Sequence, residues 1–292
     1  MQRGRPERLD IIGNGFDRFH GIPSNYSDFA LYLAEADRAV SRMIGEYFFV
    51  DEDFWSTFET RLAEFDAEGA VEYASGFLDD KGYGDFQYEL EQIGRGLSVT
   101  LQKHFANWVR SLVIPQPGHR PLLALGQTDR FLTFNYTATL ERLYGVPADR
   151  ILHIHGQAED ASKSLVLGHG WERRPEDSLN FGPEDPDQDW RVREGIEHID
   201  AYFEATFKPT QAIIARNRAF FDGLSDVNEV RILGHGLHEV DTPYIEAVMN
   251  AVDLTRVSWT VSTFNDLEER RAVFGAYGVP ESLVTYTALA DC

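Results

Sequence analysis

Four short clusters in this chain join turn-forming residues to groups that can hold or move a proton. They are Gly13-Asn14-Gly15-Phe16-Asp17, Thr133-Phe134-Asn135-Tyr136-Thr137, His153-Ile154-His155-Gly156 and Gly234-His235-Gly236. Glycines at 13 and 15 let the backbone turn tightly and approach a ligand with no Cβ in the way. A helix starting just beyond them adds unpaired amide donors and a positive dipole end, so the segment suits a phosphate. The alternative is a strand-to-helix turn that needs glycine for its backbone alone. A full dinucleotide fingerprint carries a third glycine, where Arg18 stands here, and an acid on a second strand ~20 residues further on, where no strand is expected.

Asn135 offers an acceptor and two donors from one amide, suited to orienting a ribose hydroxyl or a water, and Tyr136 could cover a ring. A turn-forming asparagine bonded to its own backbone is the alternative. His153 and His155 are two apart, so on a strand they share a face that Ile154 does not, and one can support the other. A histidine titrates near ~6.5, which fits His155, beside Gly156, for general-base removal of a proton from a sugar hydroxyl or a water. A buried neutral histidine bonded to backbone is the other reading. His153, His155, His169, His235, His238 and Asp241 would also supply ligands for a zinc or manganese hydrolase, but their spacings match no metal motif and no metal is expected.

Each cluster ends a short apolar run. Strands are expected at 9–12, 130–134, 151–154, 165–167, 229–233 and 257–263. Near-continuous Ile, Leu and Val with polar residues at the C-terminal end predicts an α/β fold whose mostly parallel sheet is covered on both faces, with ligands gathered at that end. Between the first two strands, Phe29, Leu33, Ala36, Val40, Met43 and Tyr47 recur at helical spacing, as do Phe86, Leu90, Ile93, Leu97, Leu101, Phe105, Trp108 and Leu112. These stripes read as core. A shorter stripe, Trp55, Phe58, Leu62 and Phe65, contains Glu59, expected as a solvated or capping acid. The pattern gives one domain over 1–292 with a helical insertion at 27–125 and a Pro-rich acidic surface loop at 171–190, which reads either as a lid or as a disordered insertion without a role. No internal repeat and no heptad pattern is expected.

Forty-eight acids against 27 bases give a formal charge of -21, which disfavours stable binding to nucleic acid. A small anionic ligand needs only local donors and stays compatible. The single cysteine, Cys292, allows no internal disulfide and no paired-cysteine zinc site. MQRGRPERLD has charge but no apolar leader segment, and no run of ~18 apolar residues occurs, so neither secretion nor a membrane span is expected and cytoplasmic residence is.

Together these residues resemble the sirtuin superfamily. The sirtuin loop GAGxSxxSGIPxFR aligns without gaps onto Gly13 to Tyr26, and TQNID and HG are similar to Thr133–Thr137 and His155-Gly156. FGE and GTS segments are similar to Leu167-Gly168-His169 and Gly234-His235-Gly236. Thr137 and Tyr26 replace a sirtuin Asp and Arg, and no cysteines exist for the sirtuin zinc module, so peptide deacetylation is not implied. More closely, GNGFD, FNYT, HIHG and the GHxLxxxDxPY of Gly234 to Tyr244 resemble the AbiH family of bacterial phage abortive-infection proteins. That resemblance implies a Rossmann-like, sirtuin-like nucleotide fold and antiphage defence. NAD is then the expected substrate or ligand, held by Gly13, Asn14, Gly15, Phe16, Asp17, Tyr136, Gly156, Gly234, His235 and Gly236. Asn135 and His155 would be catalytic in an NAD glycohydrolase, with Asp17 serving a ribose hydroxyl or a developing oxocarbenium charge. The alternatives are a non-catalytic NAD or adenine-nucleotide sensor and a metal-dependent nuclease or phosphoesterase. A nucleotide is the expected partner, with room for an oligomer or a phage-sensing protein.

Overall fold

The structure is a computed structural model and describes residues 8–78, 84–118, 122–126, 128–160, 165–183 and 189–292. In chain order its elements are β1 (Arg8–Ile12), α1 (Asn14–Phe19), α2 (Tyr26–Ala36), α3 (Arg38–Tyr47), α4 (Phe58–Arg61), α5 (Ala67–Ser75), α6 (Asp85–Arg95), α7 (Leu101–Ser111), β2 (Arg130–Thr133), α8 (Thr139–Tyr144), β3 (Ile151–His153), α9 (Trp190–Thr206), α10 (Thr210–Arg216), α11 (Arg218–Asp222), β4 (Glu229–Leu233), α12 (Thr242–Ala251), β5 (Ser258–Thr263), α13 (Leu267–Gly275) and β6 (Val284–Ala288). The chain divides into two compact units, one of Met1–Asn25, Val109–Val166 and Thr210–Cys292, the other of Tyr26–Trp108 and Leu167–Pro209.

In the first unit six strands, all parallel, lie in the order β3-β2-β1-β4-β5-β6. This is the order of the dinucleotide-binding doubly wound folds, in which strand order reverses between β1 and β4. Alternation along each strand sends side chains to opposite faces. Leu9, Ile11, Leu132, Val230, Ile232 and Val261 pack with Ile213, Phe221, Tyr244, Ile245 and Val248 of α10, α11 and α12. Ile12, Phe131 and Leu233 pack on the other face with Phe16 and Leu140 of α1 and α8. That second face also buries Asp10 and Arg231, register partners on β1 and β4 joined by hydrogen bonds of 2.7 and 2.8 Å. Removing one member of such a pair costs ~3–5 kcal/mol, so the two strands are locked in this register.

Two strand expectations need correction. Residues 165–167 form no strand: Val166 donates its N–H to the His155 carbonyl at 2.9 Å and the chain then leaves the first unit, so β3 stays the sheet edge. Conversely, β6 (VTYTA) has no apolar run because it is a half-buried edge strand.

The second unit is helical, as the insertion after β1 predicts. The stripe from Phe86 to Trp108 is buried along α6, a π-turn at Gly96–Thr100 and α7. The earlier stripe is broken at Asp37, whose carboxylate accepts the N–H groups of Ala39 and Val40 at 3.0 and 3.1 Å and starts α3. Glu59 is not a solvated or capping acid. It is ion-paired with the buried Lys208 and accepts the Tyr26 hydroxyl, since a lysine out of water keeps its charge only with such a partner. Of the segment 171–190, residues 184–188 lie outside the described residues. The remainder is tied down through a turn at Pro175–Asp177 and through Ser178 Oγ, which donates to Asp200 of α9 at 2.6 Å. Among the described residues no helix is long and apolar enough to cross a membrane.

Candidate functional site

Because β1 and β4 pair in register from Arg8↔Glu229 to Ile12↔Leu233, the turns that follow them meet. Gly13 donates its N–H to the Leu233 carbonyl at 3.1 Å, and Gly15 to the Gly234 carbonyl at 2.7 Å. A Cβ on Gly15 would stand 2.8 Å from both Cα and O of Gly234, and one on Gly13 2.4 Å from His235 Cα. Gly234 itself has a φ of +67°. The seam therefore requires these glycines for its own packing, and the amides of Gly13 and Gly15, expected to face a phosphate, are taken by the β4 turn. Phe16 likewise donates to the Gly13 carbonyl at 3.0 Å, while Asn14 is exposed.

Beyond Gly234 the loop is held from several sides. Gly234 donates to Ser262 Oγ at 2.7 Å, and Leu237, at a φ of 55°, donates its N–H to His235 Nδ1 at 2.9 Å. Arg270 of α13 donates to the carbonyls of His235 and Gly236 and is itself bonded to Asp266 at 2.6 Å. With Nδ1 accepting, the hydrogen of a neutral His235 ring lies on Nε2, which is 3.6 Å from Asp241 Oδ2. The other oxygen of Asp241 is 3.7 Å from His155 Nε2. Phe134 stacks edge-on to His235 at 4.2 Å and to His155 at 5.3 Å, and Tyr244 lies 5.4 Å from His155. His155 is 2% exposed, so the residue expected as a general base sits inside an aromatic cluster with a carboxylate at its Nε2.

The ends of β2 and β3 are arranged differently. Asp17, 1% exposed, accepts the Thr137 hydroxyl at 2.6 Å through Oδ2. Burial pushes its carboxyl above the ordinary range, against the Thr137 hydroxyl bond, the nearby Thr139 and Asn135 side chains and the charge of His153, which pull it down. Asn135 donates its N–H to Thr133 Oγ1 at 3.1 Å, and its carbonyl lies 3.2 Å from His153 Nδ1. His153 Nε2 is 2.9 Å from Glu141 Oε1, which also accepts the Gln157 amide at 2.7 Å. Asp17 Oδ1, Asn135 Nδ2 and Glu141 Oε2 are buried with no hydrogen-bond partner among the described residues.

The structure thus brings Asp17 to Asn135, and His155 to His235, but separates the two histidines of HIHG into different surroundings. Tyr136 donates its hydroxyl to the Val166 carbonyl at 2.7 Å, and its ring lies 6.1 Å from His155. Gly156 turns the chain at a φ of +87° after β3. His169 belongs to the second unit, where its Nε2 lies 3.2 Å from Thr206 Oγ1 and burial pushes it down to about 4. Among the described residues no three of His, Cys, Asp and Glu are placed to hold a metal ion. Sequence reasoning missed Glu141, Gln157 and Arg270. Glu141 follows Asn135 on a helix too short to show a polar face, and Arg270 stands four residues after Asp266, the spacing of an ordinary exposed helix pair.

No curated protein matches the chain in sequence. The family described as Bacteriophage abortive infection AbiH matches residues 9–263, from β1 to the end of β5 and so through every cluster placed above. The chain belongs to the AbiH family of phage abortive-infection proteins.

Proposed function

We propose that this protein acts in abortive infection by splitting NAD between nicotinamide and ribose, at the C-terminal edge of the first unit's sheet. The observation that carries the reading is the pair of buried, unpartnered atoms Asp17 Oδ1, which only accepts when ionised, and Asn135 Nδ2, which only donates. A ribose hydroxyl donates and accepts, and so satisfies both. Further support comes from the strand order and from the likeness of Gly13–Tyr26 to the loop of sirtuins, which act on NAD.

In the proposed reaction the oxygen of a water bonds to the ribose C1′ as the bond to nicotinamide breaks. The electron pair leaves on nicotinamide, which becomes neutral. Asp17 stabilises the positive charge that develops on the ribose, and Asn135 orients the water. His155 takes the proton that the water releases, and Asp241 at its Nε2 holds the imidazolium so formed, by the logic of a histidine backed by a carboxylate.

The test is nicotinamide release from NAD by the purified protein and NAD depletion in phage-infected cells that express it. Asn135→Ala should cost ~2–4 kcal/mol of transition-state stabilisation, with an unchanged melting temperature. A parent that releases no nicotinamide in either setting, while Asn135→Ala still loses phage protection, would move the substrate away from NAD. The doubly wound strand order taken alone favours one second reading, a nucleotide sensor, which calorimetry would reveal as NAD binding without turnover.

A further inference from the structure

His153 extends from the end of β3 with each ring nitrogen against an acceptor. A carbonyl can only accept, so Nδ1, 3.2 Å from the Asn135 carbonyl, carries a hydrogen and donates it. Nε2 and Gln157 meet on the same oxygen, Glu141 Oε1, at 2.9 and 2.7 Å. Two contacts therefore fix this carboxylate oxygen, the carboxylate fixes the ring, and the ring fixes the Asn135 peptide. On its other side the same residue donates its N–H to Thr133 Oγ1 at 3.1 Å. Asn135 is held at both ends of its backbone, and its side chain, in a residue 8% exposed, is left beside Asp17 with Nδ2 unsatisfied.

We propose that His153 and Glu141 are positioning residues for Asn135: the pair sets the Asn135 peptide and so aims its side-chain amide at the ligand. Neither touches the reacting atoms. The proposal rests on Asn135 belonging to the working site, as read above, and it needs no particular substrate.

Two chemical facts separate this role from that of a structural ion pair. An asparagine at a histidine position places its amide nitrogen near where Nδ1 lay, whereas a glutamine places its nitrogen near Nε2. His153→Asn therefore keeps the donor to the Asn135 carbonyl and gives up Glu141, and His153→Gln does the reverse. Likewise a glutamine at 141 can donate to Nε2 of a neutral ring and leave the Nδ1 hydrogen on the carbonyl, whereas an alanine releases the ring.

The experiment measures kcat and KM for nicotinamide release, phage protection and melting temperature for His153→Asn, His153→Gln, Glu141→Gln and Glu141→Ala. His153→Asn and Glu141→Gln should stay within about fivefold of the parent kcat, while His153→Gln and Glu141→Ala fall by about 100-fold at unchanged KM, the scale of a small misplacement of a reacting group. Equal kcat for His153→Asn and His153→Gln at matched melting temperatures would overturn the proposal. If the parent releases no nicotinamide, the NAD reading fails alone. The same order of variants in phage protection then upholds the positioning role, and equal protection by all four overturns it.

Discussion

The turns after β1 and β4 and the ends of β2 and β3 lie on one edge of one sheet, yet they treat their polar groups in opposite ways. At the first, backbone meets backbone: the amides of Gly13 and Gly15 are taken by the carbonyls of Leu233 and Gly234, and Arg270 takes the carbonyls of His235 and Gly236. At the second, side chains meet side chains, and Asp17 Oδ1, Asn135 Nδ2 and Glu141 Oε2 are left over. Native proteins satisfy nearly all their buried polar groups, so three unsatisfied atoms on neighbouring residues mark where a water or a ligand belongs. The glycine turn is the stronger sequence motif, and it serves the scaffold. The unsatisfied polar atoms gather one strand further along.

The sharpest way to break that contrast is Gly15→Val. Its Cβ would stand 2.8 Å from the Gly234 backbone, which no side-chain movement relieves, so the loss is expected at the top of the ~1–3 kcal/mol that overpacking costs. Chemical denaturation should show the loss directly. An unchanged midpoint with nucleotide binding alone abolished would return the turn to the role of a phosphate loop. Next in size is Arg270→Leu, which strips two carbonyls of their donor and leaves Asp266 with only the Phe264 N–H. A loss of ~1–3 kcal/mol is expected from hydrogen bonds to a charged group, with catalytic or protective function falling only in proportion to the unfolded fraction. Loss of function at full stability would instead bring Arg270 into the ligand site.

How much of this was legible in the sequence follows from which contacts are local. The strands β1 and β4 and their glycine turns were readable because a parallel strand covered on both faces is apolar along most of its length, here interrupted only by the paired Asp10 and Arg231 and the first residue of each strand. The ten-residue segments RLDIIGNGFD and EVRILGHGLH even follow one pattern, and they pair side by side, although no repeat was expected from so short a stretch. β6 was not readable, because an edge strand needs no apolar run. Asn135, His153 and His155 were identified as chemistry-bearing residues, but period-two spacing gave both histidines one face and could not show that His153 finds Glu141 while His155 finds Asp241. Those partners come from α8 and from the start of α12, and only the tertiary fold brings them there. The closeness of Gly15 to Gly234 is hidden for the same reason: 219 positions separate two glycines that fit together only without side chains.

The smallest effect tests the other half of the contrast, through Asp17. Its carboxyl is raised above the ordinary value of 3.8, chiefly by burial, so between 3.8 and that raised value the folded protein holds this proton when the unfolded chain has released it. Stability must therefore fall as pH rises through that window, and the contribution is fully present only below it. Asp17→Asn has no proton to lose, and its amide oxygen can accept the Thr137 hydroxyl that Oδ2 accepts now. Melting temperatures of parent and variant should lie close together in acid and diverge toward neutral pH, where the variant melts a few degrees higher. Phage protection should nevertheless be lost, since an amide cannot stabilise positive charge as a carboxylate does. A residue whose replacement strengthens the fold while ending its function is one retained for chemistry. Parallel pH–stability curves for the two proteins would show instead that Asp17 is reached by solvent and ionises freely, and the difference between the two halves of this edge would disappear.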